Sequence, residues 1–198
     1  MILLGSTLIS APIIGLQTGA ELARTKSPVI DPANLTILAY ELEGPLLAEH
    51  PSLLRLADVR ELSSMGLIVD SSDEFVLPND VIKLGEVYKL NFSLVGMTVI
   101  DEKRRKLGKV TDYTLDTTGF SVQQLSVRRP LLRSLNDTEL LIHRSQIIEI
   151  NNNAIVVHSE AKAPEPELHQ VVGSYVNPFR KSEPAQESAE SHSPSITH

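Results

Sequence analysis

The chain has 198 residues and a formal net charge of −7; 41 % of the residues are apolar, 4 % are aromatic, and neither Trp nor Cys occurs. The absence of cysteine excludes disulfides, thiolate zinc sites and a cysteine nucleophile, and it suits a reducing cytosol. Leu, Ile and Val must build the core, which favours strands, and the length fits one large domain or two small ones.

The N-terminal stretch Met1 to Gly15 is apolar, but no Lys or Arg precedes Arg24. The basic start of a secretory signal is missing. The run is also shorter than the roughly 20 residues of a membrane helix and is interrupted by Pro12. The expectation is a buried first strand, no membrane insertion and a cytoplasmic, bacterial protein. Leu8 to Ile14 begins a first unit, and Thr18-Gly19 turns the chain. Pro28 marks a strand end or bulge, and Asp31-Pro32-Ala33-Asn34 is a turn by composition. Leu35 to Leu42 is a strand. After a loop with Gly44, Pro45 and Pro51, short apolar pieces follow at Leu53–Leu56, Val59–Leu62 and Leu67–Val69.

Residues 75–92 read as a connector. Val81, Leu84 and Tyr88 recur at helical spacing, with Asn79 or Asp80 as the cap, and Gly85 limits the helix to a short one. Phe75, Val81, Leu84, Tyr88 and Phe92 are the residues expected between two packed units.

Residues 93–160 then repeat residues 1–74. Shifted by 85, Ile14 falls on Val99, Leu22 on Leu107, Ile30 on Leu115, Asp31 on Asp116, Ile37 on Val122 and Leu42 on Val127; shifted by 88, Leu53 falls on Leu141 and Leu67-Ile68-Val69 on Ile155-Val156-Val157. A phase slip strengthens the match. Leu35 and Ile37 share a face, and the pattern then skips to Tyr40 and Leu42; Phe120 and Val122 skip likewise to Leu125 and Val127. The slip predicts a β-bulge at one place in both units, of the kind that bends strands into a small barrel. Units of this size are marginal alone. From residue 161 the chain is rich in Pro, Glu, Ser and Ala and reads as a disordered polar tail, in which Val171, Val172, Tyr175 and Phe179 stand out.

Gly96-Met97-Thr98-Val99-Ile100-Asp101, then Lys106-Leu107-Gly108-Lys109-Val110-Thr111-Asp112, then Leu115-Asp116, resemble the PRC-barrel family pattern: a Gly, a Val strand, a turn, Gly-Lys-Val-x-Asp and a closing Asp. The first unit resembles it more distantly, with Ala23 in the place of Gly108. The resemblance implies an all-β fold of two tandem small PRC-type barrels used as binding modules. Relatives include the cytoplasmic part of the photosynthetic reaction-centre H subunit and a domain of a ribosome-maturation factor.

No nucleophile elbow, dinucleotide fingerprint, P-loop or H-E-x-x-H is present, so no catalytic residue, metal or cofactor is expected. His143 and His158 stand on the last two strands of the second unit, where they could approach one another, but with no accompanying carboxylate pattern they read as ordinary surface or semi-buried histidines. Asp70, Asp73 and Glu74 read as a solvated turn, lacking the spacing of a calcium loop. Asp31 and Asp116 read as turn aspartates capping their own backbone. The one candidate patch is basic. Lys103, Arg104, Arg105 and Lys106 form a hairpin tip, Lys109 follows on the next strand, and Arg128, Arg129 and Arg133 lie in another loop. An acidic protein surface or a phosphate backbone suits such a patch, although aromatic residues for base stacking are not interleaved. The expected function is non-enzymatic recognition of a protein partner, with an RNA-processing or ribosome-assembly role as the alternative.

Overall fold

The computed structural model describes residues 1–129, 139–151 and 153–158. Arg133, the apolar residues of the 171–179 stretch and the expected tail lie outside the described residues.

Strand formation follows the alternation of Leu, Ile and Val with polar residues. β1 (Ile2–Leu4), β2 (Pro12–Gly15), β3 (Glu21–Asp31), β4 (Thr36–Glu43), β5 (Leu53–Arg55), β6 (Glu61–Ser63), β7 (Gly66–Val69) and β8 (Phe75–Val76) come first. The helix α1 (Ile82–Lys89) follows, and then β9 (Thr98–Asp101), β10 (Lys106–Asp116), β11 (Ser121–Arg128), β12 (Glu139–His143), β13 (Ile147–Ile150) and β14 (Ala154–Val157). The fold is mostly β with one helix.

All these strands join one sheet, ordered β13-β14-β9-β10-β11-β4-β3-β2-β7-β6, with β1 added to β10, β12 to β11, and β5 to both β4 and β8. The expected closed barrels are therefore corrected to one open ladder. The ladder breaks at the same place in both halves: a 3-10 turn, Leu56–Asp58 between β5 and β6 and Arg144–Gln146 between β12 and β13, redirects the chain, and the strands on either side of it do not pair.

Within the ladder the two halves have the same pairing. β2 runs parallel to β7, with Ile13 opposite Leu67, and β9 runs parallel to β14, with Val99 opposite Ile155. The expected bulge is present in both. The β3–β4 register skips Leu38, and the β10–β11 register skips Gln123, 85 residues later. A second pair of skips falls at Lys26 and Thr111. The first strand corrects the sequence register by one residue. Ile13, not Ile14, matches Val99, and both are fully buried. The β2–β3 turn is one residue longer than the β9–β10 turn, which a constant shift of 85 hides.

The halves meet at β4 and β11 through two reciprocal hydrogen bonds. The Ile37 amide donates to the Phe120 carbonyl and the Val122 amide to the Leu35 carbonyl, each at 2.9 Å. Leu35 (φ 54°) and Phe120 (φ 47°) both take the left-handed backbone conformation that brings these groups together, an unusual one for bulky side chains. A single core extends across both halves, including Ile13, Tyr40 and Leu67 of the first and Val99, Tyr113 and Leu125 of the second. Burial pushes the Tyr113 phenol up to about 12 and the Tyr40 phenol higher still, by penalising the charged form.

The segment that precedes each half packs on the other half. β1 pairs with β10, with Leu3 opposite Leu115. The apolar run expected to form a buried first strand thus divides in two: β1 is an added edge strand on which Ile2 and Leu4 are exposed, and the buried strand is β2, with Ile13 in the core. Conversely, α1 precedes the second half but buries Leu84 and Val87 against Val29, Ala39 and Leu53 of the first. Val81 and Tyr88 belong to this same cluster, so they line the first half and not a barrel–barrel interface; Phe75 and Phe92 pack on the shared core. Nor does Asp80 cap the helix. Its carboxylate accepts from the Leu77 amide instead, and the N-cap position is held by Val81.

Candidate cationic interface

The basic residues are positioned by the β9–β10 turn and by the outer end of the β10–β11 ladder. A buried carboxylate shapes the turn. Asp101, 1 % exposed, accepts from the Arg105 amide at 2.8 Å and from Arg105 Nε at 2.6 Å. Its own carbonyl accepts from the Arg104 amide at 2.9 Å, and Arg104 sits at φ 59°. Arg105 is thus committed to the fold, while Lys103, Arg104 and Lys106 project from the tip as exposed side chains. The tip also carries an acid, Glu102, which meets His158 Nδ1 at 2.7 Å.

Further along, Lys109 stands directly opposite Arg128 in the β10–β11 register, and both are exposed. Arg129 follows, also exposed. The row continues across β12, where Glu139 is opposite Arg128. The same place in the first half holds Arg24 opposite Glu43. Like charges directly opposite one another destabilise a sheet, and opposite charges stabilise it, by roughly 0.2–1 kcal/mol. The β10–β11 ladder therefore holds a like-charge pair where the β3–β4 ladder holds a complementary one, and Glu139 is the opposite-charge neighbour of Arg128 on its other side. Lys103, Arg104, Lys106, Lys109, Arg128 and Arg129 make no ion pair among the described residues. The structure thus brings Lys109, Arg128 and Arg129 together on one strand end, keeps the hairpin tip as a neighbouring cluster, and removes Arg105 from the available cations.

The other sequence candidates resolve into local roles. His143 and His158 do not meet: His143 Nδ1 faces Ser145 Oγ at 2.8 Å, whereas His158 faces Glu102. Asp70 takes both its hydrogen bonds from Arg60, at 2.7 and 2.6 Å, and this partner holds its carboxyl below the usual range. Asp31 and Asp116 accept from the amides two residues on, at Ala33 (3.0 Å) and Thr118 (3.2 Å). The Thr118 amide lowers the Asp116 pKa. Among the described residues no group of three or more His, Asp or Glu side chains is arranged to hold a metal ion. Sequence reading missed a cavity of about 600 Å³ between the halves. It is assembled from five segments far apart in the chain, so no local motif announces it.

No curated protein matches the chain. Residues 89–163 match the family model of the PRC-barrel domain. That span begins at the end of α1 and takes in β9 to β14, the half that carries the cationic strand end, and we identify it as a PRC-barrel domain.

Proposed function

We propose that the chain is a non-enzymatic protein-binding module. The cationic strand end of its PRC-barrel domain recognises an acidic surface on a partner protein, and its first half is a divergent copy of the same unit. The family match supports this reading, because PRC-barrel domains serve as interaction modules. The observation that carries it is the Lys109–Arg128 pair. It sets two exposed cations opposite one another where the first half has a complementary pair, and an acidic partner surface would offset their mutual repulsion. The RNA-binding alternative rests on the same cations. It finds less support because no aromatic residue is interleaved with them for base stacking.

Lys109→Glu separates stability from binding. It places opposite charges on Arg128 without setting two acids side by side, since the other neighbour of Lys109 is Thr98. The variant is expected to gain roughly 0.2–1 kcal/mol in urea unfolding. Labelled poly(U) is expected to bind the wild type only weakly at about 200 mM salt. Strong homopolymer binding would favour the RNA reading if its log–log salt slope is steep, about −0.7 per neutralised phosphate, and Lys109→Glu flattens it.

A further inference from the structure

The cavity between the halves is a second site, distinct from the cationic strand end. It lies across the β4–β11 join, with β3 on one side and β10 on the other. The bulge residues Lys26 and Thr111 both line it. Bulges bend and twist their strands, which accounts for an opening between two strands that otherwise follow one sheet. Apolar side chains make up the larger part of the wall, among them Ile9, Pro28, Val87, Phe92, Leu94 and Val95, with polar groups set between them. Ile9 and Val95, placed alike in the two halves just before β2 and β9, are 41 % and 49 % exposed and form apolar lips. The volume of about 600 Å³ falls within the ordinary range for small-molecule sites, about 300–1,000 Å³.

The charges on the wall decide the chemistry of the occupant. Two cations and two carboxylates line the cavity: Lys26, Lys89, Glu41 and Asp112. Lys26 and Glu41 neutralise one another at 2.7 Å. Asp112 accepts from the Ser6 amide at 3.1 Å, the Ser6 hydroxyl at 2.5 Å and the Tyr113 amide at 2.8 Å. Lys89 stands in the last turn of α1, where a cation complements the negative end of the helix. The two cations and two carboxylates sum to zero, so the cavity as a whole carries no net charge that would draw in an ion of either sign. We infer that the cavity binds an uncharged, largely apolar small molecule with a single hydroxyl or carbonyl group. The Asn91 side chain, which also lines the cavity, offers that group both a donor and an acceptor.

Three ten-carbon probes test this on the full chain: 1-decanol, decanoate and decyltrimethylammonium, each titrated by NMR below its aggregation concentration. Decanol is expected to bind one per chain, at least tenfold tighter than either charged homologue, with shifts concentrated at Val87, Phe92, Leu94 and Val95. Ile9→Asp and Val95→Asp, each at an exposed lip, should weaken it at least tenfold without changing the melting curve. Equal or tighter binding of a charged homologue would overturn the inference, as would shifts spread over remote exposed side chains such as Leu16 and Met65, or unchanged affinity in both lip variants.

Discussion

Expressed apart, residues 1–92 and 93–160 are each expected to lack a cooperative unfolding transition, while residues 1–160 unfold in a single step. The reason lies in the exchanged flanks and the shared core. Cutting between the halves strips β1 from β10 and removes the Gly5–Leu8 turn that packs there. It also opens the buried cluster at Tyr40, Tyr113 and Leu125. Each fragment would keep fewer than 100 residues and only part of a core, in the size range where burial barely offsets chain entropy. Fluorescence of the tyrosines and circular dichroism against urea provide the readout. Mixing equimolar fragments should recover part of the transition, because the reciprocal β4–β11 bonds and the flanks can re-form between chains. Two fragments that each unfold cooperatively at the midpoint of the whole would show that the halves are independent domains and that the shared core is incidental.

Gly108→Ala is expected to cost about 3 kcal/mol, at the upper end of what overpacking usually does. A methyl group at Gly108 would meet the Arg128 carbonyl carbon and Val127 Cγ1 at 2.8 Å each, with the Arg128 oxygen closer still. Most of these atoms are backbone and cannot rotate away. A glycine inside a strand commonly marks such a close approach. The first half solves the same crossing differently. There Ala23 occupies the equivalent place, and Gly44 (φ 153°), which follows β4 as Arg129 follows β11, packs so closely that a methyl group there would stand 3.3 Å from Ala23 Cα. Ala23→Gly should therefore cost only about 0.5–1 kcal/mol, the ordinary entropic cost of a strand glycine. Equal effects at the two positions would contradict the packing described for them. The departure of Ala23 from the family pattern is thus matched by a compensating glycine and need not mean a different fold.

Much of this architecture was legible in the sequence because burial alternates along strands. The slip from Leu35 and Ile37 to Tyr40 and Leu42, repeated at Phe120 to Val127, puts a bulge between Ile37 and Tyr40 and between Val122 and Leu125, where the register skips Leu38 and Gln123. What was not legible depends on contacts remote in sequence. Nothing local to Ile2–Leu4 reveals a partner at Thr114–Asp116. Nothing in the spacing of Leu84 and Tyr88 says which half the helix will cover. Barrel closure could not be read either, since it turns on whether the short strands on either side of the 3-10 turns at Leu56–Asp58 and Arg144–Gln146 pair with one another. At the candidate interface the run of four cations was plain, but the loss of Arg105 to a buried Asp101 was not. The opposition of Lys109 and Arg128 required the register, which the sequence leaves uncertain by one residue wherever a bulge intervenes.

The most direct test of the proposed role is capture of partners from nuclease-treated lysate by immobilised wild-type chain and by Lys109→Glu in parallel. The cationic strand end predicts a protein retained by the wild type after nuclease and lost from the better-folded variant. Retention of the same proteins by both, or release of everything by nuclease, would contradict it.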